Sequence, residues 1–355
     1  MDAEKLKEEL RQLIQEQLQK LYDFPDDFQV QLLKYSENIV YKIVFCGSQA
    51  FPPVVLRVHR PGYHDTEELE SELLWMEEIA RDTDVPVPRV FRGKDGGLIQ
   101  QLYGADGRAW NCSVISFLEG RLLEQLSGEE LLKAMEQMGE ITAKLHLQAI
   151  HRDPGVILKR GSWDVHNFFD EDGVWGSWRD YPGLDAEQYL LLEQCQQVIT
   201  ARLARYGKSP ERYGMIHSDL HFCNIIRKDG VNQIFDFDDC GYGYYLYDLG
   251  CTLVTCSENL SGLQEAWVRG YVRYRPLTGE DRELLPMFIL LRRIVRLGWL
   301  ASHAGNDTGK RVGSEYLDVT MELAADWLRK DRKEQAKRGR EDFADSRWEL
   351  ERSAG

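Results

Sequence analysis

The sequence predicts an α+β protein, a β-rich first part followed by a mainly helical remainder. Between residues 28 and 58, three short runs, FQVQLLKY, NIVYKIVFC and PVVLRV, are rich in Val, Ile, Tyr and Phe. Ser-Glu-Asn, Gly-Ser-Gln and Pro-Pro separate them, which is the pattern of an antiparallel meander of three strands. Further on, residues 129–150 and 283–302 carry apolar positions at helical spacing. At 355 residues the chain is long enough for two lobes with a sizeable core.

Each element has its own signal. Residues 3–22 place Leu6, Leu10, Leu13, Ile14, Leu18 and Leu21 on one stripe, a helix expected to pack on the first lobe. In the third strand Leu56 and Val58 alternate with Arg57, which therefore faces the other side. A helix over 66–80 opens with an Asp-Thr cap signal and an acidic first turn, and buries Leu69, Leu73, Trp75, Met76 and Ile79. Past Val85-Pro86-Val87-Pro88, residues 89–119 read as two strands, and Gly120 permits a turn out. The helix at 129–150 carries Leu132, Met135, Met138, Ile141, Leu145 and Leu147 on its stripe, which leaves His146 as a structural histidine. Residues 151–184 are rich in Gly and Asp with no long periodicity, as functional segments often are. Helices are expected at 185–206, 283–302 and 314–329, with a charged tail from about 331.

Composition narrows the function. The formal net charge is −15, from 44 basic and 59 acidic residues, with no extended basic stripe. A nucleic-acid partner is therefore not expected. Seven cysteines form no C-x-x-C pair and are odd in number, the usage of reduced, mostly buried thiols. With no apolar leader and no stretch approaching a membrane span, a cytoplasmic protein without membrane contact is expected.

The chemistry concentrates in HSDLHFCNIIRKDGVNQIFDFDD, residues 217–239. Two apolar runs, Ile225-Ile226 and Ile234-Phe235, read as buried strands holding polar groups at their ends. His217, Asp219 and Asn224 have the spacing H-x-D-x-x-x-x-N, and Asp236 follows on the next strand. Phosphoryl transfer needs such a set: one carboxylate takes the hydroxyl proton while hard oxygen ligands hold magnesium against the phosphates. Asp219 fits the first role, Asn224 and Asp236 the second. A hydrolytic metal site competes, because His217, Asp219 and His221 at period two would share one strand face and could ligate zinc or manganese. That reading leaves Asn224 and Asp-Phe-Asp unexplained.

HSDLHFCN followed by FDFDD, with YDLG at 247–250, resembles the catalytic core of the aminoglycoside phosphotransferase and choline kinase-like family. The resemblance implies a protein kinase-like two-lobed fold: an ATP lobe at 1–115, a linker at 116–120, a helical lobe at 121–330 and a tail at 331–355. It implies ATP and Mg2+ as cofactors and a small-molecule hydroxyl as acceptor, in a monomer or homodimer. By that resemblance His217 supports the catalytic loop, Asp238 is an auxiliary metal ligand, and Asp248 braces the loop from a helix start in a capping role. Arg57 stands where most relatives have Lys to steady the phosphates, and Glu72, with Glu68 as its rival, would orient it. Ser36 and Asn38 fall in the turn over the phosphates, where a plain hairpin is the alternative, and the family's glycine-rich counterpart in protein kinases is absent. The backbone of Ser116 and Leu118 would meet adenine. Trp163, Asp164, Trp178 and Asp180 are candidates for the acceptor pocket, with a packed aromatic loop as the alternative. Arg292, Arg293 and Arg296 could bind an anionic acceptor or form an internal network. Protein Ser/Thr phosphorylation and nucleotide binding without turnover remain alternatives.

Overall fold

The meander forms and becomes the first half of a larger sheet. In the computed structural model, which describes residues 3–35, 38–47, 51–302, 315–334 and 336, strands β1 (Phe28–Tyr35), β2 (Ile39–Phe45) and β3 (Val54–Val58) are joined by β4 (Val90–Phe91), β5 (Gln100–Tyr103) and β6 (Ala109–Ser116). The order is β1-β2-β3-β6-β4, with β5 also on β6, and every pairing is antiparallel. Helix α1 (Ala3–Leu21) lays Leu10, Leu13, Ile14 and Leu18 on Tyr41, Ile43, Leu56, Cys112 and Val114. Burying each such side chain contributes about 1.5–3 kcal/mol, so the stripe read from sequence fixes this helix to the sheet. Ser36 lies outside the described residues.

Helix α2 (Thr66–Asp82) begins at a capping box: Asp65 accepts from the Glu68 N–H while Glu68 returns a bond to the Asp65 N–H. Its buried face carries the expected apolar residues together with Glu72. A two-residue strand, β7 (Arg121–Leu122), adds to the later hairpin β9 (Ile225–Lys228) and β10 (Val231–Ile234). The hairpin turns at Asp229 and Gly230, both at positive φ. Strand β8 (Tyr213–Ile216) enters the motif.

Helix α3 (Gly128–His151) buries His146, whose Nδ1 lies 2.9 Å from the Tyr271 hydroxyl, the structural placement expected of it. Two glycines set how closely α3 meets the stretch around Trp267–Tyr271. A Cβ on Gly139 would stand 1.9 Å from the Trp267 carbonyl, and one on Gly270 would stand 1.7 Å from the Glu136 carbonyl. Backbone cannot yield as a side-chain tip can. Gly270→Ala is therefore expected to lower stability by about 1–3 kcal/mol, read as a lower urea midpoint with an unchanged slope. An unchanged midpoint would mean that the helices have slack.

The chain divides into two compact units. The first holds Met1–Gly161, Gly214–Tyr242 and Glu265–Pro276. The second holds Ser162–Tyr213, Gly243–Gln264 and the described residues from Leu277 onward. In the second unit, α4 (Val165–Phe169) starts at an Asp164 cap and α5 (Ala186–Tyr206) at an Asp185–Gln188 capping box. Helix α6 (Tyr247–Leu253) packs on α8 (Gly279–Ser302), close enough that a Cβ on Gly250 would stand 2.3 Å from the Phe288 carbonyl. Between them in sequence comes α7 (Leu260–Tyr271). The last helix runs over 315–334.

Asp248 does not cap α6. The N-cap is Leu246, with no side-chain bond, and Asp248 is buried in the first turn. Arg293 takes the internal alternative, though with a carbonyl and a hydroxyl rather than carboxylates as partners: it donates to Val254 O at 2.7 Å and to Thr320 Oγ1 at 3.1 Å. Arg292 stacks on Trp175, 4.0 Å from its centroid.

Candidate active site

The motif residues converge because the backbone leaves β8 in a conformation that strands do not adopt. Ser218 has φ 63° and Asp236 has φ 65°, the left-handed region that costs a non-glycine residue about 1–3 kcal/mol. Ser218 is held there by its Oγ, which donates to Asp239 O at 2.5 Å. His217 is fully buried against the Phe237 ring, at 4.4 Å between centroids. Its Nδ1 accepts the Asp219 N–H at 3.3 Å, which leaves Nε2 to carry the proton donated to Phe235 O at 3.2 Å. One imidazole thus ties the loop to the end of the hairpin.

This geometry removes the hydrolase reading. Residues 217–221 are not a strand, and the turn at Ser218 breaks the period of two on which a shared face depended. Both His217 nitrogens are engaged with backbone. Among the described residues, the group with metal-ligand spacing from His, Cys, Asp and Glu is the exposed His166, Asp170 and Asp172 of the second unit.

Asp219 is the most fully oriented carboxylate. Asn224 Nδ2 donates to Asp219 Oδ2 at 2.8 Å and to its carbonyl at 3.0 Å. His221 accepts the Cys223 N–H on Nδ1 at 3.1 Å, so its Nε2 carries the proton that faces Asp219 Oδ2 at 3.3 Å. One carboxylate oxygen is fixed from two sides.

Arg57 is buried where strand alternation placed it, and Glu72 is its partner: Nη2 donates to Glu72 Oε1 at 2.6 Å. Glu68 instead closes the α2 capping box. The other arm of the guanidinium, Nη1, faces Asp238 Oδ1 at 3.7 Å and Asp236 Oδ1 at 3.9 Å. One guanidinium therefore stands among three carboxylates. Burial pushes the Asp236 carboxyl above the usual carboxylate range, with Asp238 and Asp219 adding to the rise against Lys34 and Arg57. Asp238 Oδ1 is buried without a hydrogen-bond partner. Oxygen-only donors with surplus negative charge fit a hard divalent cation such as Mg2+.

Asn38 is buried with its amide committed, Oδ1 accepting the Arg60 N–H and Nδ2 donating to Asp238 Oδ2, each at 3.1 Å. The Ser116 N–H is spent on Arg89 O at 2.8 Å. Trp163 and Trp178 are buried in the second unit, Trp163 against Trp175 and Tyr247, and Trp178 with its N–H on Gln196 Oε1 at 2.8 Å. Asp164 caps α4 and pairs with Lys208 at 3.0 Å, while Asp180 is exposed. The packed aromatic alternative describes the two buried tryptophans.

Arg160, Tyr63 and His64 were not legible. Arg160 donates to the carbonyls of Asp238 and Cys240, His64 Nε2 lies 3.1 Å from Asp238 O, and Tyr63 donates to Asp239 Oδ1 at 3.1 Å. An arginine bonded to carbonyls leaves no spacing signal.

Fold and site together define a kinase-type phosphotransferase acting on small-molecule hydroxyl acceptors. The chain belongs to the phosphotransferase enzyme family, whose model matches residues 36–284. It is 32% identical to a microcompartment-associated aminopropanol kinase of known structure, over 90% of this chain and 98% of that one, with a TM-score of 0.78. The amicoumacin kinase of Bacillus subtilis (strain 168) is 24% identical over 291 residues, 79% of this chain and 81% of its own. A solved amicoumacin kinase in complex with AMP-PNP and Ca2+ shares the fold, with a TM-score of 0.69 at 19% identity over 91% of this chain and 96% of that one. Among the described residues no helix is long and apolar enough to cross a membrane.

Proposed function

We propose that this enzyme transfers the γ-phosphoryl group of ATP to the hydroxyl of a small amino alcohol. The single observation that carries the chemistry is the Asp219 carboxylate, fixed through one oxygen by Asn224 and His221 beside the charge-rich Asp236–Arg57 group. The acceptor class rests on the likeness to the aminopropanol kinase across nearly the whole chain.

In the reaction the acceptor oxygen bonds to γ-phosphorus, the bond from phosphorus to the ADP oxygen breaks, and the hydroxyl proton passes to Asp219. Asn224 donates to Asp219 through its nitrogen, so its amide oxygen would be the atom available to hold a cation, with Asp236 as the second ligand. Mg2+ held by this pair would neutralise charge on the phosphoryl oxygens. Arg57 steadies the phosphates through the arm that Glu72 does not occupy. The carbonyl of Ser116 and the backbone of Leu118 hold adenine, since the Ser116 N–H is already spent.

The test is ADP release by the purified full chain with MgATP and 1-amino-2-propanol, ethanolamine, choline or homoserine. Release that depends on an amino alcohol, and product carrying its phosphate, is the expected result. Transfer only to polypeptide serine or threonine would replace this reading with the protein-kinase one, and tight ADP binding with no transfer to any acceptor would leave a nucleotide-binding module.

A further inference from the structure

Asp236 and Asp238 are two residues apart and both face Arg57 Nη1, but they differ in exposure and in their other partners. The Asp236 side chain is 32% exposed, and that of Asp238 only 11%. Asp238 Oδ2 takes the Asn38 amide at 3.1 Å, and Oδ1, which has no hydrogen-bond partner, lies against Arg57 Nη1 at 3.7 Å. Its main chain is clamped as well, by Arg160 and His64 on the carbonyl. Asn38 directly precedes β2, 200 residues away in sequence, and its other amide atom holds the Arg60 N–H just beyond β3. Asp238 is thus where the start of β2, Arg57 and the segment carrying Asp236 meet.

We propose that Asp238 is a positioning residue rather than a magnesium ligand: with Asn38 it ties the start of β2 and the Arg57 guanidinium to the segment that carries Asp236. The inference rests on the kinase reading above. Its consequence is a preorganised phosphate side, so that nucleotide does not have to order Asn38 and the arginine when it binds. Losing the tie weakens nucleotide at every magnesium concentration and leaves the magnesium requirement where it was.

The experiment is calorimetric titration of ADP into the full chain across a series of Mg2+ concentrations, for wild type, Asn38→Ala, Asp238→Ala, Asp238→Asn and the Asn38→Ala/Asp238→Ala double variant. A hydrogen bond to a charged group supports an expectation of about tenfold weaker ADP binding for Asn38→Ala and Asp238→Ala. The magnesium midpoint should not move, and the double variant should be no worse than Asp238→Ala alone. Asp238→Asn still accepts the Asn38 amide and should fall between wild type and Asp238→Ala. Asn38→Ala leaves the carboxylates intact, so it reports even if Asp238→Ala does not fold. Recovery of affinity by excess Mg2+ in Asp238→Ala would make Asp238 a metal ligand and overturn the proposal, as would unchanged binding in Asn38→Ala and Asp238→Asn. Failure of the kinase reading looks different: wild type itself would bind no ADP at any Mg2+ concentration.

Discussion

Asp219→Asn is expected to lower kcat by about 100- to 10,000-fold, the contribution of a positioned general base, while ADP and Mg2+ bind as in wild type. The substitution keeps the size of the side chain and an oxygen for the Asn224 amide, which donates to Asp219 Oδ2 at 2.8 Å. What is lost is the charge and the ability to take a proton. Phosphoryl transfer passes through a loose transition state in which the acceptor hydroxyl need not be deprotonated early. Much of the work of Asp219 is therefore orientation of that hydroxyl, and a result toward the lower end of the range would express this. Rapid-quench turnover with saturating MgATP and acceptor measures the effect, and calorimetry with ADP confirms that binding survives. A loss of less than tenfold would show that another group receives the proton. Weakened nucleotide binding would place Asp219 among the ligands of the metal instead.

The parts of this site that could be read in advance are those set by local spacing. His217, Asp219 and Asn224 lie within eight residues of one another, and their order alone carried the chemistry. Arg57 was legible because strand alternation fixes a side for a side chain, whereas the resemblance left Glu72 level with Glu68 until the buried ion pair with Arg57 separated them. The Asn38–Asp238 tie was not, because it joins residues 200 apart whose types are common in turns. Nor was the left-handed backbone of Asp236, since an aspartate there looks like any strand-end residue until the chain turns. Trp163 and Trp178 show the opposite failure: an aromatic-rich stretch without periodicity reads as a ligand surface, yet both rings are covered, and the Trp178 N–H finds a local partner in Gln196.

Arg57→Met is expected to lower both stability and activity, and the two losses can be separated. Arg57 and Glu72 are almost fully buried, their side chains 7% and 1% exposed, and joined at 2.6 Å. Removing the guanidinium leaves a buried carboxyl without its hydrogen-bonded counter-charge, a change that costs about 3–5 kcal/mol. The pH dependence has a definite sign. Burial already pushes the Glu72 carboxyl above its ordinary value, against the pull of Arg57, and without Arg57 burial acts with less opposition. A carboxyl whose folded pKa is raised contributes stability that is present below its unfolded pKa and lost as pH rises through the folded one. The deficit of Arg57→Met should therefore be smallest in mild acid and largest at neutral pH and above, measured by urea unfolding at each pH. Adding Glu72→Met should restore most of the stability, because apolar residues of similar volume often replace a buried ion pair at no net cost. The double variant should nevertheless remain far below wild type in kcat/KM for ATP, since the guanidinium proposed to face the phosphates is gone. Activity that returned together with stability would show that the pair serves only the packing of α2 against the sheet. Arg57→Lys is the intermediate case: charge is kept but the fork is lost, so one ammonium must serve both Glu72 and the phosphates, and the KM for ATP should rise more than kcat falls.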